Sequence, residues 1–139
     1  MKCGVNAEAT LSDVDRKLVE AAALTHRATG LTIAVHTGAG PGLAQIEILK
    51  AHGVAPAAWI WVHAQDARDA DILAAAEQGA WVSFDGLRPE TMKRHLELCR
   101  LLRDKGRLDR VLVSNDAGWY DPAKPDGGPF RDYQFLFTH

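Results

Sequence analysis

Short apolar runs alternate along the chain with longer stretches in which apolar residues recur every three or four positions. The first pattern predicts buried strands and the second amphipathic helices. Met1–Val5 opens as a strand. Ser12 is placed to cap a helix, with Asp13 and Asp15 in its first turn to oppose the helix dipole. Leu18, Ala21, Ala22 and Thr25 keep helical spacing up to Gly30, which stands where a C′ glycine ends a helix. Leu31–His36 is apolar and rich in β-branched residues, as a parallel strand buried on both faces should be. A Gly-rich turn, His36–Gly42, leads to a helix at Leu43–His52 closed by Gly53. Trp59–His63 is the next strand, Asp66–Gln78 a helix closed by Gly79, and Ala80–Asp85 a further strand. Pro89 fits the first turn of a long helix that runs to Lys105 and closes at Gly106. Arg110–Asn115 is the last strand, Asp116–Gly128 a loop and Phe130–His139 an aromatic tail. This alternation predicts βαβ units and a parallel sheet, hence an α/β fold.

Composition narrows the picture. The chain has 139 residues, 47% hydrophobic and 24% charged, the balance of a globular chain that buries a core. That length suits a single domain, 1–139. A formal charge of −2 argues against a general nucleic-acid binder. No apolar run reaches the roughly 20 residues of a membrane span. Met1–Thr10 lacks the basic region and apolar stretch of a signal peptide. Cys3 and Cys99 read as reduced thiols, and the expected location is the cytoplasm.

Each strand carries a polar residue at or near its C-terminal end: Lys2, His36, His63, Asp85 and Asp116. A parallel sheet brings such ends to one edge, and in a (β/α) barrel that edge carries the chemistry. Two imidazoles and a carboxylate suit zinc, manganese or cobalt. Each histidine also has a plain structural reading, with its hydrogen bonds satisfied, and the residues by themselves leave both open. His26, His52 and His95 fall on helices and are expected at the surface; His139 is the last residue. The turn Gly38-Ala39-Gly40-Pro41-Gly42 admits a different chemistry, the phosphate cradle of a nucleotide-binding α/β module. It lacks the GxGxxG spacing, and no Walker lysine follows it. Asp66 and Asp69 read most simply as caps, and Trp59 and Trp61 as sheet packing.

Taken together, Lys2 in MKCGVN, His36 in HTGAG, His63 in VHAQD, Asp85 in SFDG and Asp116 in SNDAGWY resemble the phosphotriesterase-like family of the amidohydrolase superfamily. The stretch TGLTIAVHTGAGPGLAQIEILKAHGV keeps the family's spacing, and the resemblance covers essentially the whole chain. It implies a partial (β/α)₈ TIM barrel, strands four to eight with intervening helices, and two divalent metals at the strand ends, zinc or else manganese or cobalt. On this resemblance Lys2 would be the carbamylated lysine that bridges both metals. His36 and His63 would complete the ligands of the more exposed metal. Asp116 would bind the buried metal and accept a proton from the bridging hydroxide. Asp66 and Asp85 match acidic positions near the site. Trp119 and Tyr120 would shape the substrate pocket, with Arg88 as a further contact. The implied reaction is hydrolysis of a small ester, namely a lactone, carboxylic ester or phosphotriester, by a metal-activated hydroxide.

Two features depart from the family pattern. The His-x-His pair that would hold the buried metal does not occur in this sequence, and a full barrel needs about 250 residues. The resemblance therefore implies a C-terminal piece, with strands one to three and the final helix outside it. Such a piece is expected to be inactive by itself and to leave Lys2 unmodified. The alternative is an inactive half-barrel that binds one metal weakly or self-associates through its open sheet edges, in the simplest case as a homodimer. The second departure is Gly86, which stands where some members carry His or Arg; Arg88 follows two residues on.

Overall fold

The two periodicities become two layers. A computed structural model describes residues 1–129 and 133–138. One sheet holds β1 (Lys2–Gly4), β2 (Ile33–His36), β3 (Trp59–Val62), β4 (Trp81–Phe84) and β5 (Val111–Val113). Every neighbouring pair is parallel, and the spatial order is the chain order. Crossovers between parallel strands share one hand, so a sheet whose order never reverses carries its helices on one face. Those helices are α1 (Asp13–Thr29), α2 (Gly42–Ala51), α3 (Asp69–Glu77) and α4 (Met92–Asp104), and a short α5 (Phe135–Thr138) follows β5. Of the aromatic tail, Phe130, Arg131, Asp132 and His139 lie outside the described residues. Among the described residues no helix is long and apolar enough to cross a membrane.

Strand alternation decides which side chains are buried. Ile33, Val35, Trp59, Trp61, Val82 and Phe84 form a buried core with Val19, Ala23, Ile46, Leu49, Ile72, Ala75, Leu98 and Leu102 of the helices. The alternate row, Ala34, Ile60, Val62 and Trp81, is only half-buried, and Leu112 is exposed. Register places Lys2, Ala34, Ile60 and Trp81 in one cross-strand row, and Gly4, His36 and Val62 in the row nearer the C-terminal edge. The two tryptophans pack as their alternation predicts. The Trp61 indole also donates to the Gly38 carbonyl at 2.9 Å, and its ring lies so close to Gly42 that a Cβ there would overlap it. Gly42→Ala is therefore expected to destabilise the fold by about 1–3 kcal/mol, the usual cost of overpacking. Urea denaturation followed by tryptophan fluorescence measures this, and an unchanged midpoint would show that α2 moves away at no cost.

The predicted helix signals are used at α1. Ser12 Oγ accepts the Asp15 N–H at 3.1 Å, and Asp15 Oδ2 accepts the Ser12 N–H at 3.2 Å, a reciprocal cap. The Ser12 hydroxyl, which also donates to this carboxylate, and the Asn6 amide hold Asp15 below the usual carboxylate range. That contribution to stability is present at neutral pH and is lost on acidification through the lowered value. Gly30, in the left-handed region, returns its N–H to the His26 carbonyl.

Other boundaries differ from expectation. Pro89 is not in the long helix, because the Thr91 hydroxyl accepts the Arg88 N–H and donates to the Gly86 carbonyl, building a turn that delays α4 to Met92. Asp66 closes a 3₁₀ turn, Ala64–Asp66, and α3 begins only at Asp69 because Arg68 is extended. Lys2 begins β1 instead of ending it, and Asp116 lies beyond the end of β5 at Val113.

Candidate active site

The C-terminal edge collects side chains because each strand stops there and its chain turns. β3 ends at Val62, and His63 adopts a left-handed backbone with φ 60°. Histidine is among the few non-glycine residues enriched in that conformation. The turn brings its ring against that of His36, the last residue of β2: the two lie edge to face with centroids 4.6 Å apart.

Asp85, just after β4, is 7% exposed and fixes this arrangement from behind. Its Oδ2 accepts the main-chain N–H of His63 at 2.9 Å and lies 3.4 Å from His63 Nδ1. Its Oδ1 accepts the hydroxyls of Ser83 and Ser114, each at 2.7 Å. The Asp85 N–H in turn donates to Gln65 Oε1 at 3.0 Å. A carboxylate engaged at both oxygens has little freedom to swing. A carboxylate facing Nδ1 favours the proton on that nitrogen and leaves Nε2 with its lone pair.

In front of Asp85 opens a cleft of about 520 Å³ lined by His63, Asp66, Asp85, Arg88, Asp116 and Trp119, together with Gln65, Thr91, Arg94 and His95. Asp116 reaches it from a left-handed backbone, φ 44°. Arg94 braces the wall by pairing with Asp69 at 2.7 Å and donating to the carbonyls of Gln65 and Ala67. Tyr120 stands apart: it is 69% exposed, packs on Gly127 and lines a separate hollow with Trp119. Lys2 is exposed on the sheet face that carries His36, in the adjacent register row.

Among the described residues no three His, Cys, Asp or Glu side chains assemble into a metal-binding group. The imidazoles of His36 and His63 supply one side of a centre for a borderline cation. Asp116 shares the cleft with His63 without completing such a group. The Gly-rich turn offers no phosphate cradle at its glycines. Gly38 donates its amide to Val62, Gly40 to Thr37 and Gly42 to Gly40, so these N–H groups are consumed within the fold.

Sequence reasoning missed four participants. Ser83, Ser114 and Gln65 hold Asp85, and His95 is no surface residue but is 3% exposed beside Phe84. The signal for His95 was present: Leu98 and Leu102 stand three and seven residues further on, which places it on the buried stripe of α4.

Comparison with known proteins then settles the lineage. Residues 1–139 match the Phosphotriesterase family. The chain belongs to the phosphotriesterase family. A phosphotriesterase homology protein of Escherichia coli strain K12 is 33% identical over 144 residues, which cover 96% of this chain and 49% of that protein. The crystal structure of the E. coli phosphotriesterase homology protein complexed with phosphate in its active site superposes with a TM-score of 0.81 at 30% identity, over 99% of this chain and 48% of that one. A lactonase from Listeria monocytogenes superposes with a TM-score of 0.76 at 26% identity, over 84% of this chain and 36% of that one. A mutant of the organophosphorus hydrolase from Deinococcus radiodurans gives a TM-score of 0.73 at 26% identity, over 84% of this chain and 37% of that one. The chain thus spans about half the length of the phosphotriesterase-family relatives it matches. Its five parallel strands and their crossover helices form part of a TIM barrel of this family, β1 to β5 standing for strands four to eight.

Proposed function

We propose that this chain carries part of the active site of a metal-dependent ester hydrolase whose substrates are lactones, carboxylic esters or phosphotriesters. The observation that carries the reading is the His36–His63 pair, backed by Asp85, at the C-terminal edge of a parallel sheet. Membership of the family supports it, as do the lactonase and the organophosphorus hydrolase among the relatives and the phosphate in the active site of the E. coli relative.

On this reading His36 and His63 hold a divalent cation, zinc or alternatively manganese or cobalt. A bound cation of this kind lowers the pKa of water and polarises a carbonyl or phosphoryl oxygen. The chain's own residues do the rest. Asp85 keeps Nδ1 of His63 turned inward, so that Nε2 faces the ligand side. Asp116 accepts the proton released as the ester is attacked. Trp119 and Arg88 border the substrate, Tyr120 belongs to the same loop, and Asp66 adds negative charge to the cleft that His63 lines. Lys2 is the candidate bridge to a second cation. As an ammonium it has no lone pair, so that role requires carbamylation.

Calorimetric titration with zinc tests the reading directly. One zinc per chain is expected, lost in His36→Ala; a folded chain that takes up no zinc would contradict it. Asp85→Asn should weaken zinc binding by about 10–100-fold, the usual cost of removing the partner behind a ligating histidine. Unchanged affinity would leave Asp85 a purely structural role. For Lys2, crystals of this chain grown with zinc and bicarbonate are expected to show an unmodified side chain. In the complete enzyme Lys2→Ala should lose activity that short carboxylic acids partly restore; no rescue would count against a bridging role.

A second reading, an inactive half-barrel that pairs with another copy, is favoured by the half-buried apolar row Ala34, Ile60, Val62 and Trp81 and by the exposed Leu112. A monodisperse dimer on size-exclusion chromatography would support it.

A further inference from the structure

His63 meets His36 because of a backbone conformation that few residues hold, φ 60°. A non-glycine residue persists there only where its surroundings over-determine it. The segment that follows does little to hold itself. Ala64–Asp66 is a single 3₁₀ turn, in which the Asp66 N–H donates to the His63 carbonyl at 3.3 Å and the Ala67 N–H to the Ala64 carbonyl at 3.0 Å. Neither that turn nor α3 has a side-chain cap at its N-terminus. Arg68, which stands at the cap position of α3, pairs forward with Asp71 at 2.8 Å instead.

What holds the segment comes from another element. Arg94, in the first turn of α4, donates to the Gln65 carbonyl from Nε at 3.4 Å and from Nη2 at 3.3 Å, and to the Ala67 carbonyl from Nη2 at 3.3 Å. Nη2 also lies 2.7 Å from Oδ1 of Asp69, the first residue of α3. One guanidinium thus spans three acceptors between His63 and α3, and its planar fork is pre-organised for such a span. Gln65 carries the restraint onward. Its Oε1 accepts the Asp85 N–H at 3.0 Å, and Asp85 Oδ2 accepts the His63 N–H at 2.9 Å. The contacts run from Arg94 through Gln65 and Asp85 back to His63.

We propose that Arg94 is a positioning residue: by strapping the Gln65 and Ala67 carbonyls to α4 it keeps His63 in the left-handed backbone that brings the two imidazoles together. The Arg94 side chain is 37% exposed, so removing its head group leaves no void in the core. The inference rests on the reading above for what the His63 ring holds, but the strap itself is tested without metal.

The test is amide hydrogen exchange of the full chain, read residue by residue by ¹H–¹⁵N NMR without added metal. Arg94→Met keeps an aliphatic stem to cover the same surface and removes every donor. In this variant the His63, Ala67 and Asp85 amides should exchange about 10–100-fold faster, as expected when hydrogen bonds to a charged group are lost. The Val54 and Arg107 amides, bonded to the carbonyls of Leu49 and Leu102, should keep their rates. Unchanged exchange at His63 and Asp85 would overturn the proposal. So would a general rise that includes Val54 and Arg107, because Arg94 would then support only the stability of the whole fold. Asp69→Asn removes the ion pair and leaves both carbonyls strapped, so the same amides should stay protected. Exchange as fast as in Arg94→Met would place the effect in the ion pair and overturn the strap. Zinc titration of the same preparations reads the consequence for His63: Arg94→Met should bind zinc about 10–100-fold more weakly than the parent. Equal affinity would deny the positioning role. A parent that takes up no zinc, with exchange as expected, would instead count against the ligand reading while the strap stands, which keeps the two failures distinct.

Discussion

Replacing His63 by alanine in the complete enzyme is expected to strip metal and activity together. Losing a group behind a ligand costs about 10–100-fold in affinity or activity, so losing the ligand itself should exceed about 100-fold in kcat/KM. Metal analysis by mass spectrometry and steady-state kinetics on the same preparation provide the measurement. The variant carries a hazard, because His63 sits at φ 60° and alanine is strained there. Asparagine tolerates the left-handed region. His63→Asn should therefore keep the melting temperature close to that of the parent and still lose the metal. Full metal content in His63→Asn would remove His63 from the ligand set.

Asp116→Asn is expected to act on a different quantity. The substitution keeps shape and tolerates the same backbone, φ 44°, but removes a proton acceptor. General-base contributions run to about 10²–10⁴-fold, and the loss should fall on kcat with KM nearly unchanged. Equal damage to both constants, with a lowered melting temperature, would mean that the residue shapes the turn after β5 and takes no proton.

The order of strands and helices was legible because the chain punctuates itself. Ser12 starts a helix with its own hydroxyl, and Gly30 ends it where only a left-handed residue fits. What the sequence could not show was competition between side chains and backbone. Pro89 is a good first-turn residue, but the Thr91 hydroxyl makes a turn there that satisfies the same groups. The clamp on Asp85 was half legible. Alternation along AWVSFD puts Ser83 and Asp85 on one face. That Ser114 meets the same oxygen depends on the register of β4 against β5, which neither strand encodes by itself. The Gly-rich turn misleads for a related reason. Counting glycines says nothing of where their amides point, and at Gly38, Gly40 and Gly42 they point into the fold. The convergence of His36 and His63 was the easiest part to anticipate, because a parallel sheet brings the ends of adjacent strands together whatever lies between them.

Diffraction at the zinc edge from crystals of this chain grown with zinc tests the central claim most directly. The expected result is one anomalous peak at the C-terminal edge, about 2.0–2.1 Å from a ring nitrogen of His36 and of His63 alike. Zinc bound elsewhere, or absent from this edge while both rings are well ordered, would contradict the assignment of the two histidines as ligands.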